Sequence, residues 1–376
     1  MLNSKKSILL LCWLLISVNA LGFVPNRRRS YEDRDPNTYM FIPAIASLPG
    51  MGTFVGVLGS FSNIADSGID AAITEAHTIE SETDIHVRAY ALREIPLYFE
   101  GLSFEYWFGN IKFTDMYMYL PGRNSPNYVI PYTGKFDYYF LRPAYRIWDR
   151  RINLTYNLVF FKGYGVSDDG KDEIMANHSA SGNLLFDFTD DWVDPRRGLR
   201  IGYSFSMTPP EKSIIGENTE KSEDDEVVKT KSLNIGLYIP FGEEFTLALY
   251  QEIFEATGKE DSDEVVSGGS LNLRGYPQGR WSDRFGLMRI AEARWHIPTN
   301  WKLNWLIING NVEDIQLAVF AEEGQVSPEK NSRLEEGMHK SYGVGIRALI
   351  DVIVLRFDIA ASDEGTQTHL TIDHAF

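Results

Sequence analysis

The chain has 376 residues, 44% of them hydrophobic, enough to bury a large core or to form one large membrane barrel. A net charge of -16 argues against an electrostatic nucleic-acid binder, and the single cysteine, Cys12, supports neither a disulfide framework nor a cysteine-based metal or nucleophile site. Aromatics reach 13%, and past the N-terminus no run of 18 apolar residues occurs, which excludes helical membrane spans and favours β structure.

Lys5 and Lys6 precede the apolar run Ile8 to Val18, and Val18-Asn19-Ala20 puts a small residue at a cleavage position. Residues 1–20 read as a signal peptide, so the protein is expected to be exported; an uncleaved anchor is the other reading. Removing both lysines takes the net charge to -18. Residues 21–38 mix Arg27, Arg28, Arg29, Glu32, Asp33, Arg34 and Asp35 without an apolar period and read as a short periplasmic linker.

From residue 39 onward the chain falls into segments of about ten residues that alternate with period 2, the pattern of transmembrane strands. Ile152, Leu154, Tyr156, Leu158 and Phe160 alternate with Asn153, Thr155 and Asn157. Leu199, Ile201, Tyr203, Phe205 and Met207 alternate with Arg200, Gly202, Ser204 and Ser206. Leu233 to Ile239 and Tyr342 to Ala348 repeat the pattern. A soluble sandwich also alternates, but here the apolar faces are rich in Tyr, Phe and Trp while the opposite faces carry Arg, Glu and Asp.

Connections alternate in length as well. Short turns are expected at Ala65–Gly68, Arg93–Pro96, Trp148–Arg150, Asp194–Arg197 and Pro240–Glu243, and long polar loops at 110–135, 166–178, 208–229 and 258–284. This is the parity of an outer-membrane barrel with tight periplasmic turns and long external loops. The strands then fall at 39–47, 52–63, 68–77, 84–93, 97–109, 136–147, 151–163, 180–190, 198–207, 230–239, 243–256, 285–297, 314–326, 341–350, 353–361 and 368–376. The fold class is all-β, a transmembrane antiparallel β-barrel of about 16 strands over residues 39–376. Pro43 makes the first strand the weakest, since it removes a ladder donor. The acidic runs Glu217–Glu226 and Lys259–Glu264 read as solvated external loops.

The segment Gly268-Gly269-Ser270-Leu271-Asn272-Leu273-Arg274-Gly275-Tyr276 carries the most specific signal. It resembles the sixth external loop of the BamA/TamA superfamily of outer-membrane barrels (the bacterial surface antigen family), where a Gly-Gly precedes Arg-Gly-Phe/Tyr. Asp194-Pro195-Arg196-Arg197-Gly198 resembles that family's Pro-x-x-Gly turn, with Pro195 and Gly198 in place. Glu292-Ala293-Arg294 resembles its Glu-x-Arg, and Phe320-Ala321-Glu322-Glu323-Gly324 its Phe-x-Asp-x-Gly, with Glu322 for the usual Asp. Gly343 to Ala360 resembles its penultimate hairpin, and Leu370, Ile372 and Phe376 a barrel-closing strand with a terminal aromatic. The likeness is strong over 190–376 and only one of pattern over 39–189.

The resemblance implies that the loop folds inward and that Arg274 pairs with Glu292 and Glu322 on the barrel wall, a structural lock in which Gly275 permits close approach. Tyr276 and Gly324 belong to the same motifs. A buried arginine needs such a bidentate partner. The resemblance also implies a poorly paired seam between first and last strands, where a client strand could add to an exposed edge. Alternatively, Pro43 precedes the strand and the seam closes normally. Only residues 21–38 precede the barrel, so the periplasmic POTRA domains of the founding members are expected to be absent.

Four functions stay open at this point. The first is assistance in inserting or translocating proteins, or lipids, at the outer membrane. The others are a passive channel, a hydrolase, and a surface-exposed structural or adhesive protein. His86, His178, His296, His369 and His374 show neither a nucleophile elbow nor metal-ligand spacing, so no catalytic residue, metal or cofactor is expected. The implied partners are outer-membrane lipid and unfolded protein clients, with no nucleic acid and a monomeric chain.

Overall fold

A computed structural model describes residues 36–48, 52–79, 84–119, 129–166, 172–208, 212–215, 227–257 and 265–376, other than 270, 278, 331, 352 and 373, together with 122 and 124. The expected leader, the linker up to residue 35 and both acidic runs lie outside the described residues. Among those described, nineteen strands occur and seventeen share one sheet. One of the seventeen, Lys212–Ile215, is a short extension paired with residues 173–176.

The other sixteen follow one another in chain order. The first half comprises β1 Thr38–Leu48, β2 Gly52–Ser62, β3 Asp70–Thr78, β4 Asp84–Pro96, β5 Leu102–Tyr119, β6 Val129–Ile147, β7 Ile152–Val166 and β8 Asp172–Thr189. The second half comprises β9 Gly198–Thr208, β10 Val228–Phe241, β11 Phe245–Thr257 and β12 Phe285–Trp305. It ends with β13 Ile308–Ser327, β14 His339–Ile350, β15 Ile353–Ser362 and β16 Gly365–Ile372. Each pairs antiparallel with the next, and the sheet curls until β16 lies beside β1.

Period-2 alternation explains the distribution of side chains. Tyr203, Phe205, Leu233, Val319, Val344, Ile346, Phe357 and Ile359 point outward and are exposed. The intervening residues point inward, so Glu292, Arg294, Arg347, Arg356 and Asp358 are buried. A soluble protein has the reverse arrangement; apolar outside and charged inside is that of a transmembrane β-barrel.

Several boundaries differ from expectation. Residues 93–96 do not turn; β4 runs through them with a bulge between Leu92 and Ile95, and the chain reverses at 97–101, where Gly101 takes φ +76°. The loops expected at 110–135 and 166–178 are shorter, because alternation carries β5 to Tyr119, β6 back to Val129 and β8 back to Asp172. Pro43 neither precedes nor breaks β1, since Pro43 pairs opposite Val57 in a continuous ladder with β2. The last strand stops at Ile372, paired with Leu355, and so does not reach Phe376.

The described part of the sixth long loop, from 265 to 284, enters the barrel from the long-loop end. Val265–Ser267 pairs with Trp281–Asp283 at its base, and Gly268 and Gly269 adopt φ +106° and +116°, values open to glycine. Leu273, Tyr276 and Trp281 then pack against Phe254, Met288, Ile290 and Val326, forming the apolar centre of the barrel interior.

Candidate functional site

Arg274 is fully buried and meets three carboxylates. Its backbone N–H and Nε donate to Glu322 at 2.6 and 2.7 Å, and Nη1 and Nη2 donate to Glu292, both at 3.2 Å. Nη1 also donates to Asp358 at 2.7 Å, and the guanidinium lies 3.4 Å from the centre of the Phe320 ring. Burial pushes the Arg274 pKa down, but the charges of Glu322, Glu292 and Asp358 outweigh it and hold the group above its ordinary value. The arrangement can fix a loop to the wall.

Gly275 sits where a Cβ would come within 2.7 Å of the Ala361 backbone and 2.9 Å of the Ser341 side chain. Tyr276 donates to Asp363 at 2.5 Å, and Arg280 pairs with Glu364 at 2.7 Å. Gly324 leaves room for Met288 and Leu273, whose side chains a Cβ there would meet at 2.6 and 3.1 Å. Arg274, Gly275, Tyr276, Glu292, Glu322 and Gly324 are thus brought to one place.

The loop's grip extends beyond the residues singled out in the sequence. Asp358 on β15 also meets Arg347 at 3.2 Å and Arg356 at 3.5 Å, and Glu292 receives Arg294 and Arg347, both at 2.8 Å. Ser341 donates to Glu322, and His369 on β16 contacts the Arg274 carbonyl at 2.7 Å. Alternation from Tyr342 to Ala348 already put Arg347 on the inner face, which was the available signal.

A second cluster closes the short-turn end of the interior. Asp190 accepts the backbone N–H groups of Arg196 and Arg197, and Gly198 takes φ +118° beside the Phe188 carbonyl, so the Pro195–Gly198 segment is a built turn. The turn presents Asp194 to His374 at 3.2 Å and to His296 at 3.8 Å, and His296 also meets Asp314 at 3.2 Å. Asp194, His296 and Asp314 have metal-ligating atoms within 4.8 Å of one another, and Arg196 ion-pairs with both carboxylates. Burial pushes the Asp194 pKa up, and His374, His296 and Arg196 together hold it well below the usual range.

The C-terminal tail joins this cluster. Phe376 packs on Tyr250 with ring centres 5.1 Å apart, and its ring lies 5.4 Å from the Arg294 guanidinium. Of the expected closing residues, Leu370 and Ile372 lie in the β16 ladder, whereas Phe376 is turned inward, because Tyr250, Arg294 and the Asp194–His374 contact give the tail partners inside the barrel.

The seam is the remaining feature. Among the described residues no ladder joins β16 to β1, although the two lie side by side. The Phe41 N–H points away from β2, so by alternation the backbone groups of residues 43, 45 and 47 do too. Pro43 therefore removes a donor from the seam edge and costs the β1–β2 ladder nothing.

A family model described as the Omp85 superfamily domain matches residues 48–373. Among solved structures, BamA from Haemophilus ducreyi lacking POTRA domains 1-3 superposes with a TM-score of 0.52 at 12% identity, over 89% of this chain and 69% of that one. CdiB from Escherichia coli gives 0.58 at 13% identity, covering 89% and 61%, and CdiB from Acinetobacter baumannii gives 0.57 at 11%, covering 89% and 59%. The chain thus spans less than two thirds of either CdiB, and at these identities the likeness is one of fold. A search of curated protein sequences found no match. The family match runs from the end of β1 to just past the last rung of β16, and the chain belongs to the Omp85 superfamily.

Proposed function

We propose that this barrel sits in an outer membrane, long loops outward, and assists the insertion or translocation of protein clients, with the β1–β16 seam as the working element. The seam edge carries the reading: β1 has no described ladder to β16, and Pro43 removes one of its donors. An incoming extended segment can add to such an edge by backbone hydrogen bonding. The Arg274 lock serves as structure in this reading, holding β12, β13 and β15 in place while the seam moves. The protein is read as a non-enzyme that needs no cofactor.

The resemblance to BamA and CdiB in fold, and membership of the Omp85 superfamily, support this reading over a passive channel. The inward loop and the docked tail also occupy the interior that a channel would keep open. A photoreactive phenylalanine at Ile45 tests it. In vesicles, β1 should capture a folding barrel client through that residue; capture equal to that of an outward residue on β10, such as Leu233, would contradict the reading.

A further inference from the structure

The connection between β12 and β13 is a protruding hairpin. Bulges between Pro298 and Trp301 and between Val312 and Asp314 bend it away from the wall, and only Leu306 and Ile307 separate its strands. Its tip reaches β1, beyond three intervening strands. Tyr39 pairs with Asn309, Met40 pairs with Ile308, and the Phe41 N–H donates to the Ile307 carbonyl at 2.7 Å. Met40, Val312 and Ile350 form a buried apolar cluster there, joined by Leu303, Ile308 and Ile353.

The lengths allow this reach. From β13 to β1 there are four strand spacings, about 19 Å, and eight extended residues from Pro298 to Trp305 cover about 23 Å. The intervening strands leave space for it. β14 ends at Ile350, β15 begins at Ile353 and β16 ends at Ile372, opposite Leu355, so the rim is notched where the hairpin crosses. The inward turn of the tail, with His374 on Asp194, keeps the chain's last residues out of that notch.

We infer that this hairpin is a strap that holds the seam shut at the short-turn end and leaves its long-loop end to open. The strap takes the edge of β1 at residues 39–41. Pro43 offers no donor, so the next outward-facing N–H groups on that edge belong to Ile45 and Ser47. An adding strand is then confined to the edge from Pro43 to Leu48, a short stretch entered from the long-loop side. The inference rests on the reading of the seam as mobile and adds where it opens and how much edge it presents.

Two cysteine pairs across the seam test it without any client, in chains whose sole native cysteine, Cys12, is replaced. Tyr39→Cys with Ile372→Cys reports the strapped end, and Ser47→Cys with Thr366→Cys the other. The strapped pair should oxidise about tenfold faster, the effect of one or two net hydrogen bonds and a small apolar cluster. Replacing Trp301–Gly310 by Asn-Gly should bring the first rate down to the second. Ile308→Asp, which keeps the backbone and breaks the cluster, should do so in part and guards against a misfolded deletion. Equal rates in the unaltered strap background, or rates unmoved by both strap variants, would overturn the inference. A strap effect without client capture at Ile45 would leave the strap standing and sink only the proposed function.

Discussion

Arg274 donates to Asp358 at 2.7 Å, so the inward loop holds the hairpin beside the seam as well as the two strands that follow it in sequence. Three carboxylates, Glu292, Glu322 and Asp358, face this one guanidinium in a site closed to solvent. Arg274→Ala leaves those acids short of a buried partner, which costs roughly 3–5 kcal/mol. Limited proteolysis should then cut the 258–284 loop, and the folded barrel should lose its shape at lower temperature in detergent. Digestion unchanged from wild type would count against the lock.

Gly275→Ala probes the same contact from the opposite direction, by adding an atom. The new Cβ would lie 2.7 Å from the Ala361 backbone, which cannot rotate away. Overpacking of this kind costs about 1–3 kcal/mol, so the variant should unfold earlier while keeping every charge. Equal midpoints for variant and wild type would show that the loop has more freedom than these distances allow.

The docked tail should respond to pH. Burial and the nearby Arg294 push the His374 pKa down to about 4, with Asp194 opposing them, against 6.5 for a free histidine. A free tail therefore takes up its proton at a higher pH than a docked one. Docking is undiminished above about pH 6.5 and weakens as pH falls towards 4, by up to about two orders of magnitude. A spin label at Ala375 should be immobile at pH 7.5 and mobile near pH 4.5. Mobility that ignores pH, or the same pH response in His374→Asn, would remove histidine from the explanation.

Much of the barrel was legible because alternation is a local property. From Leu199 to Met207 and from Leu233 to Ile239 each side chain's face follows from its neighbours. The loop residues were legible for a different reason: Gly-Gly with Arg-Gly-Tyr is a local motif, as are Glu292 to Arg294 and Phe320 to Gly324. Asp358 was missed because nothing near it in sequence distinguishes it from other inward acids. The strap was missed because Pro298 and two bulges interrupt the alternation just where β12 and β13 leave the wall. Phe376 continues the phase of Leu370 and Ile372, and only contacts distant in sequence, with Tyr250 on β11 and Asp194 in the turn after β8, explain why the chain leaves that phase.

The decisive measurement is client folding in vesicles with the long-loop end of the seam reversibly shut by a Ser47→Cys, Thr366→Cys disulfide. Oxidation should reduce the barrel's assistance to the level of empty vesicles, and reduction should restore it. Assistance that survives quantitative oxidation would contradict a role for the seam and leave the fold without the activity proposed for it.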